Sequence, residues 1–120
     1  MKLTYFSLSE FDSPDLKGSG AKMDETFLSM LDDARNIANI PFKINSGYRT
    51  EKHNKNVGGS KDSSHLKGLA VDIHCSESRN RSIILNALLK VGFTRIGIAK
   101  TFIHADLDFD KSQNVIWVYA

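Results

Sequence analysis

The chain carries the sequence Ser-His-Leu-Lys-Gly-Leu-Ala-Val-Asp from Ser64 to Asp72. Gly68 allows the backbone to turn without a Cβ clash, and the apolar residues that follow predict a strand over residues 69–74. His65 then lies in a loop and Asp72 on the strand. Imidazole and carboxylate both suit zinc, although this spacing alone is more typical of a structural pair.

A second segment, Phe102-Ile103-His104-Ala105-Asp106, offers another imidazole and carboxylate. His104 with His65 and Asp72 would form a three-residue site for a catalytic zinc, whose fourth position stays open for water. A lone histidine in an apolar strand is more often a core residue. However, Asp106 would share the face of His104, and burying both without a partner would be costly. Asp106 would be either the general base or a group that orients a ligand.

Other polar and aromatic residues are candidates for the same site. Arg49 follows a strand end, and its donors suit a substrate carboxylate or oxyanion or a salt bridge that fixes the loop. His74 as a fourth ligand would close the site, so we do not assign it to the metal, and His53 is expected to be solvated in a polar loop. Trp117 and Tyr119 share one face of the last strand as core or pocket wall, with Trp117 a candidate substrate contact.

The whole chain, residues 1–120, reads as one α+β domain with a small, largely antiparallel sheet flanked by helices. Asp24 is a plausible cap for the first helix. A polar stretch with Gly58-Gly59 predicts a long loop over residues 51–64. The predicted helices cover residues 23–39 and 80–91, and the predicted strands cover 42–46, 69–74, 93–98, 102–107 and 115–119.

Composition narrows the functional class. The chain has 16 basic and 14 acidic residues, a balance too even to indicate nucleic-acid binding. Cys75 is the only cysteine, so no intramolecular disulfide can form and we expect a small buried filler. No signal peptide and no segment of ~20 apolar residues for a membrane span is visible. We therefore expect a monomer made in the cytoplasm, with neither nucleic acid nor membrane as a partner.

Several short motifs resemble the zinc D-Ala-D-Ala carboxypeptidase-like metallopeptidases, peptidase family M15. The nearest likeness is to the small single-domain branch common in phages and bacteria. It runs from about Phe6 to Tyr119 and so covers nearly the whole chain. The motifs are Ser46-Gly47-Tyr48-Arg49, His53-Asn54, Val57-Gly58-Gly59, the stretch from Ser64 to Asp72, Gly97-Ile98 and Phe102-Ile103-His104-Ala105-Asp106.

The resemblance implies the fold shared with the zinc-bearing signalling domain of hedgehog proteins, a small antiparallel sheet flanked by helices. It implies zinc as cofactor and cleavage of peptide bonds next to D-amino acids in peptidoglycan. The partner would then be a cell-wall stem peptide, and the gene would belong to a phage or a bacterium. Residue by residue, it makes His65, Asp72 and His104 the zinc ligands. Arg49 would steady the substrate, and Ser64 would lie beside a ligand at the substrate site.

One departure from the family concerns the general base. Several branches use an acidic residue three positions before the last histidine, or a histidine two positions before it. Here those positions hold Thr101 and Phe102, and neither can act as a base. Asp106 is then the nearby carboxylate that strand geometry places on the metal side. The missing base also leaves an alternative, a catalytically silent zinc module that binds cell wall or forms a structural part of a virion.

Overall fold

Five strands form one sheet in the computed structural model, which describes residues 2–119. All neighbouring strands run antiparallel except the last pair, which is parallel. The predicted α+β class with a largely antiparallel sheet is therefore confirmed, with one parallel pair added. The strands are β1 (Ile44–Ser46), β2 (Ala70–His74), β3 (Arg95–Ile98), β4 (Phe102–Asp106) and β5 (Val115–Val118).

The strand order β1-β2-β4-β3-β5 explains the parallel pair. Both sides of β4 are already occupied, by β2 and β3. The chain reverses after β4, and β5 extends the sheet at the β3 edge, where it runs in the same direction as β3. Alternation in the sequence predicts a strand but not its neighbours, so this pairing was not predicted.

Three helices accompany the sheet: α1 (Glu25–Ala38), α2 (Glu51–Asn56) and α3 (Ser78–Lys90). The predicted cap of α1 is present, since the Asp24 carboxylate accepts a hydrogen bond from the backbone N–H of Phe27 at 2.9 Å. The helix ends at Ala38. The next residue, Asn39, caps it in a left-handed conformation with φ of 55°. None of the described helices is both long and apolar enough to cross a membrane.

The two faces of the sheet have different roles. Val71, Ile73, Ile103 and Ala105 are completely buried and join one apolar cluster with the inner faces of α1 and α3. Because side chains alternate along a strand, the intervening residues of β2 and β4 point to the other face. Cys75 is buried beside this core, as expected for a small filler.

The predicted long loop over residues 51–64 is wrong in its first half, which forms α2. The Thr50 side chain caps this helix by accepting from the backbone N–H of His53 at 3.1 Å. The helix is polar on nearly every position and has no apolar stripe, so periodicity did not reveal it. His53 consequently lies half-buried in a helix rather than solvated in a loop.

Candidate metal centre

Three side chains from separate elements meet on the sheet face opposite the core. His65 comes from a 3₁₀ turn over Ser64–Lys67, Asp72 from β2 and His104 from β4. Asp72 and His104 are direct partners in the β2–β4 register. One ligand atom from each residue lies within 4.8 Å of the other two, so the group could hold a metal ion. His74 is exposed on the same strand as Asp72 and lies outside this group.

The hydrogen bonds of His65 determine which of its nitrogens faces the group. Its Nδ1 lies 2.8 Å from the backbone oxygen of Gly47. A carbonyl oxygen can only accept, so Nδ1 carries a proton and Nε2 is the nitrogen directed at the group. That Nε2 lies 3.5 Å from Asp72 Oδ1, on the side where a metal would bind. Nε2 is thus the His65 atom that could bind a metal.

His104 lies between two carboxylates. Its Nδ1 is 2.9 Å from Asp72 Oδ1, and its Nε2 is 2.8 Å from Asp106 Oδ2. Burial favours the neutral ring, but the hydrogen bonds to Asp106 and Asp72 outweigh it and raise the pKa of His104. Without a metal the raised pKa favours the charged ring. A cation bound between Nδ1 and Asp72 would displace the proton from Nδ1.

Asp72 is correspondingly held in its ionised form. Burial acts to raise the pKa of this carboxyl, but hydrogen bonds from His104 and His65 outweigh it and keep the pKa well below the usual range. An ionised carboxylate beside two imidazole nitrogens is a donor set typical of zinc and related divalent ions. The residues present therefore fit a bound metal.

Asp106 is almost completely buried, and both of its oxygens are engaged. Oδ2 binds His104, while Oδ1 accepts from Arg95 Nε at 2.8 Å and from the Asp108 backbone N–H at 3.1 Å. Burial would raise its pKa, but the hydrogen bonds from His104 and Asp108 lower it overall. A carboxylate behind a ligating histidine fixes the ring and its tautomer. The geometry therefore favours the ligand-orienting role of Asp106 over that of general base.

Arg95, which sequence reasoning missed, completes this support. It is the β3 register partner of Asp106. Its Nη1 also donates to the Ser112 oxygen at 2.6 Å, and its guanidinium lies 5.0 Å from the centre of the Trp117 ring. Only three residues separate β3 from β4, so hairpin pairing of the two strands could have suggested the contact.

Arg49 lies at the edge of the metal group and is held by three side chains. Its guanidinium donates to Ser46 Oγ at 3.0 Å, to Asn54 Oδ1 at 3.2 Å and, more weakly, to Asp72 Oδ2 at 3.4 Å. Asn54 is buried, and a Cβ on Gly59 would overlap its side-chain oxygen. Asn54 of α2, with the glycine loop packed against it, thus holds Arg49 in position. Sequence reasoning did not assign this role to Asn54.

Ser64 anchors the turn that carries His65. Its buried hydroxyl donates to Asp108 Oδ2 at 2.7 Å and receives a hydrogen bond from Lys111 Nζ at 3.1 Å. Asp108 is also paired with Lys67 at 3.0 Å. The cluster ties the His65 turn to the loop after β4, so the structure gives Ser64 a positional role at the site.

A cavity of about 310 Å³ opens over the metal group. Arg49, Ser64 and Trp117, the residues predicted to contact substrate, all line it. Its aromatic wall consists of Phe102, Trp117 and Tyr119, and the Trp117 ring centre lies 5.6 Å from that of His104. The predicted site residues therefore share one cavity, whose other lining residues are Ser60, Ser63, His65, Asp72, Arg95, His104, Asp106 and Lys111.

Comparison with known proteins is consistent with this geometry. No curated protein matches the chain. A family model described as Peptidase M15 matches residues 4–106, which is most of the chain and includes all three members of the metal group. The match ends where β4 ends and does not reach β5. The chain therefore belongs to the peptidase M15 family.

Proposed function

We propose that the protein is a zinc-dependent peptidase that cleaves peptidoglycan stem peptides next to D-amino acids. The observation that carries the proposal is the convergence of His65 Nε2, Asp72 Oδ1 and His104 Nδ1, with the other nitrogen of each histidine bound by a protein oxygen. Three protein ligands leave a position open, as catalytic zinc sites do. Membership of a peptidase family supports hydrolysis as the reaction.

In this proposal zinc, when bound, lowers the pKa of a water toward ~7 and polarises the scissile carbonyl. The chain's residues supply the rest. Asp106 and the Gly47 carbonyl fix the two imidazole rings in the orientation that the metal requires. Arg49 has five N–H donors, and those not used by its three protein partners remain for the carbonyl or carboxylate of the peptide.

The charge of the cavity supports an anionic substrate. Three cationic side chains line it, those of Arg49, Arg95 and Lys111, against the carboxylates of Asp72 and Asp106. A bound divalent cation would increase this positive excess. Peptidoglycan stem peptides carry free carboxylates, so the field of the cavity would favour their approach.

The proposal is tested by incubating purified muropeptides with the protein and identifying products by mass spectrometry, which also shows which bond is cut. We expect cleavage that a chelator abolishes and zinc restores. His104→Ala should lose activity because it removes a metal ligand. His74→Ala is the matched control, since His74 is exposed on β2 and lies outside the metal group. Full activity of His104→Ala would rule out the proposed mechanism.

The silent zinc module is a second candidate because of one observation. The two carboxylates that line the described cavity are both committed, Asp72 to the metal group and Asp106 to His104 and Arg95. A catalytic base would then have to come from water or substrate. Tight zinc binding and retention on insoluble peptidoglycan, without turnover of any muropeptide, would favour the module over the enzyme.

A further inference from the structure

The residue after the last strand lines the cavity, in a part of the chain that the family match does not cover. Tyr119 follows β5 and lines the cavity, beyond the matched residues 4–106. We propose that the Tyr119 hydroxyl donates a hydrogen bond to the substrate oxygen on which negative charge develops when the scissile carbonyl is attacked. The inference rests on the proposed peptidase function and adds a catalytic residue to it.

Gly97 makes room for this tyrosine beside the metal group. It is the register partner of His104 on one side and of Trp117 on the other. A Cβ on Gly97 would lie 2.5 Å from Trp117 Nε1 and 2.8 Å from Tyr119 Cε2. Both rings therefore lie directly over β3, one strand away from His104. Any side chain at position 97 would push them away from the metal group.

Neighbouring rings fix the position of Tyr119. Its ring centre lies 5.2 Å from that of Phe102 and 6.4 Å from that of Trp117. Its backbone N–H also bonds to the Ile98 oxygen at 3.1 Å, which continues the β3–β5 pairing. The ring is thus held by contacts that do not involve its hydroxyl, as a preorganised donor requires.

The hydroxyl is in the correct protonation state to donate. Burial raises the pKa of the Tyr119 phenol; the Trp117 indole acts in the opposite direction, and the nearby carboxylates of Asp72 and Asp106 raise the pKa further. The phenol therefore keeps its proton at neutral pH.

Three other donors in the cavity are committed within the protein. Ser60 donates to the Asp62 carboxylate, Ser64 donates to Asp108, and Lys111 donates to the Asp62 backbone oxygen and to Ser64. The Tyr119 proton has no such commitment within residues 2–119. Arg49 and Tyr119 would thus approach the reacting carbonyl as complementary donors.

The test compares Tyr119→Phe with the wild type on the muropeptide that the wild type cleaves. The variant keeps the ring and its contact with Phe102 but loses the hydroxyl. Removal of one oxyanion donor typically costs ~10²–10³-fold in kcat, so we expect a fall in kcat of about 100-fold with KM changed less than about twofold. Zinc affinity, measured by competition with a chelating dye, should not change.

Tyr5→Phe is the matched control. Tyr5 is about as exposed as Tyr119, at 41% against 44%, and its hydroxyl bonds to Asn36 on α1, outside the cavity. An unchanged kcat for Tyr119→Phe would overturn the inference while the proposed function stands. A weakened zinc affinity in that variant would also overturn it, because the hydroxyl would then act through the metal. A wild type inactive on every muropeptide would overturn both.

Discussion

The two histidines of the metal group are supported in different ways. His65 is buried, and its ring is held by a backbone carbonyl, that of Gly47. His104 is held by the carboxylate of Asp106, which is itself held by Arg95. A peptide carbonyl orients the ring with little charge, whereas a carboxylate also makes it more basic. Substitution of a supporting side chain and a change of pH should therefore alter metal affinity through the His104 side.

The largest expected effect on zinc affinity comes from Asp106→Asn. This substitution keeps the shape of the side chain but removes the charge behind His104. Loss of such an outer partner typically costs ~10–100-fold in metal affinity, and we expect a fall in that range by dye competition. Asp110→Asn is the control, because Asp110 lies in the loop after β4 with a side chain that is 87% exposed. The variant's folding is checked by its unfolding temperature.

The same variant separates the two roles considered for Asp106. At saturating zinc, a ligand-orienting Asp106 predicts that Asp106→Asn recovers most of the wild-type kcat. A general base predicts a kcat that stays low however much zinc is added. Unchanged zinc affinity together with lost kcat would therefore contradict the orienting role that the engaged oxygens of Asp106 favour.

The second expected effect is a dependence of the protein's stability on pH. In the metal-free protein the pKa of His104 is raised above 6.5 and that of Asp72 is lowered below 3.8. The His104 contribution to stability is complete below about pH 6.5 and is lost as pH rises through its folded pKa. The Asp72 contribution is present above about pH 3.8 and is lost as pH falls through its folded pKa.

Bound zinc should reverse the pH dependence of stability at the alkaline end, where the metal-free protein loses the His104 contribution. Because zinc needs His104 unprotonated at Nδ1, its apparent affinity should fall about tenfold per pH unit below the raised pKa, where one proton must be displaced. Unfolding temperatures with and without zinc across pH 5–9 measure both trends. The stabilisation by zinc should be greatest at the alkaline end, and a stabilisation that does not vary with pH would contradict the account of His104.

The difference between the two supports also shows what local sequence can predict. Two-residue alternation was enough to place His104 and Asp106 on one face, because that period is a property of a single strand. The periodicity of α1 and α3 was equally local. Gly47 was recognised only as part of a motif, since the bond from its carbonyl to His65 links residues 18 apart in sequence.

The features that were missed depend on contacts between distant segments. Arg95 looks like an ordinary polar strand residue until β3 pairs with β4. Asn54 looks like a loop residue until α2 folds around Arg49. The position of β5 beside β3 depends on which edges of the sheet remain free. In each case the information lies in packing between elements and not in the pattern of one segment.

The smallest expected effect comes from Arg95→Lys, one step further from His104. Lysine keeps the positive charge near Asp106 but loses the planar fork that also reaches the Ser112 oxygen and stacks on Trp117. Zinc affinity should fall only a few-fold, less than for Asp106→Asn, with Arg79→Lys on the exposed side of α3 as control. If zinc affinity fell as far as in Asp106→Asn, the two residues would act as one unit. The Asp106 carboxylate would then need the geometry of the guanidinium, and not merely its charge, to hold His104.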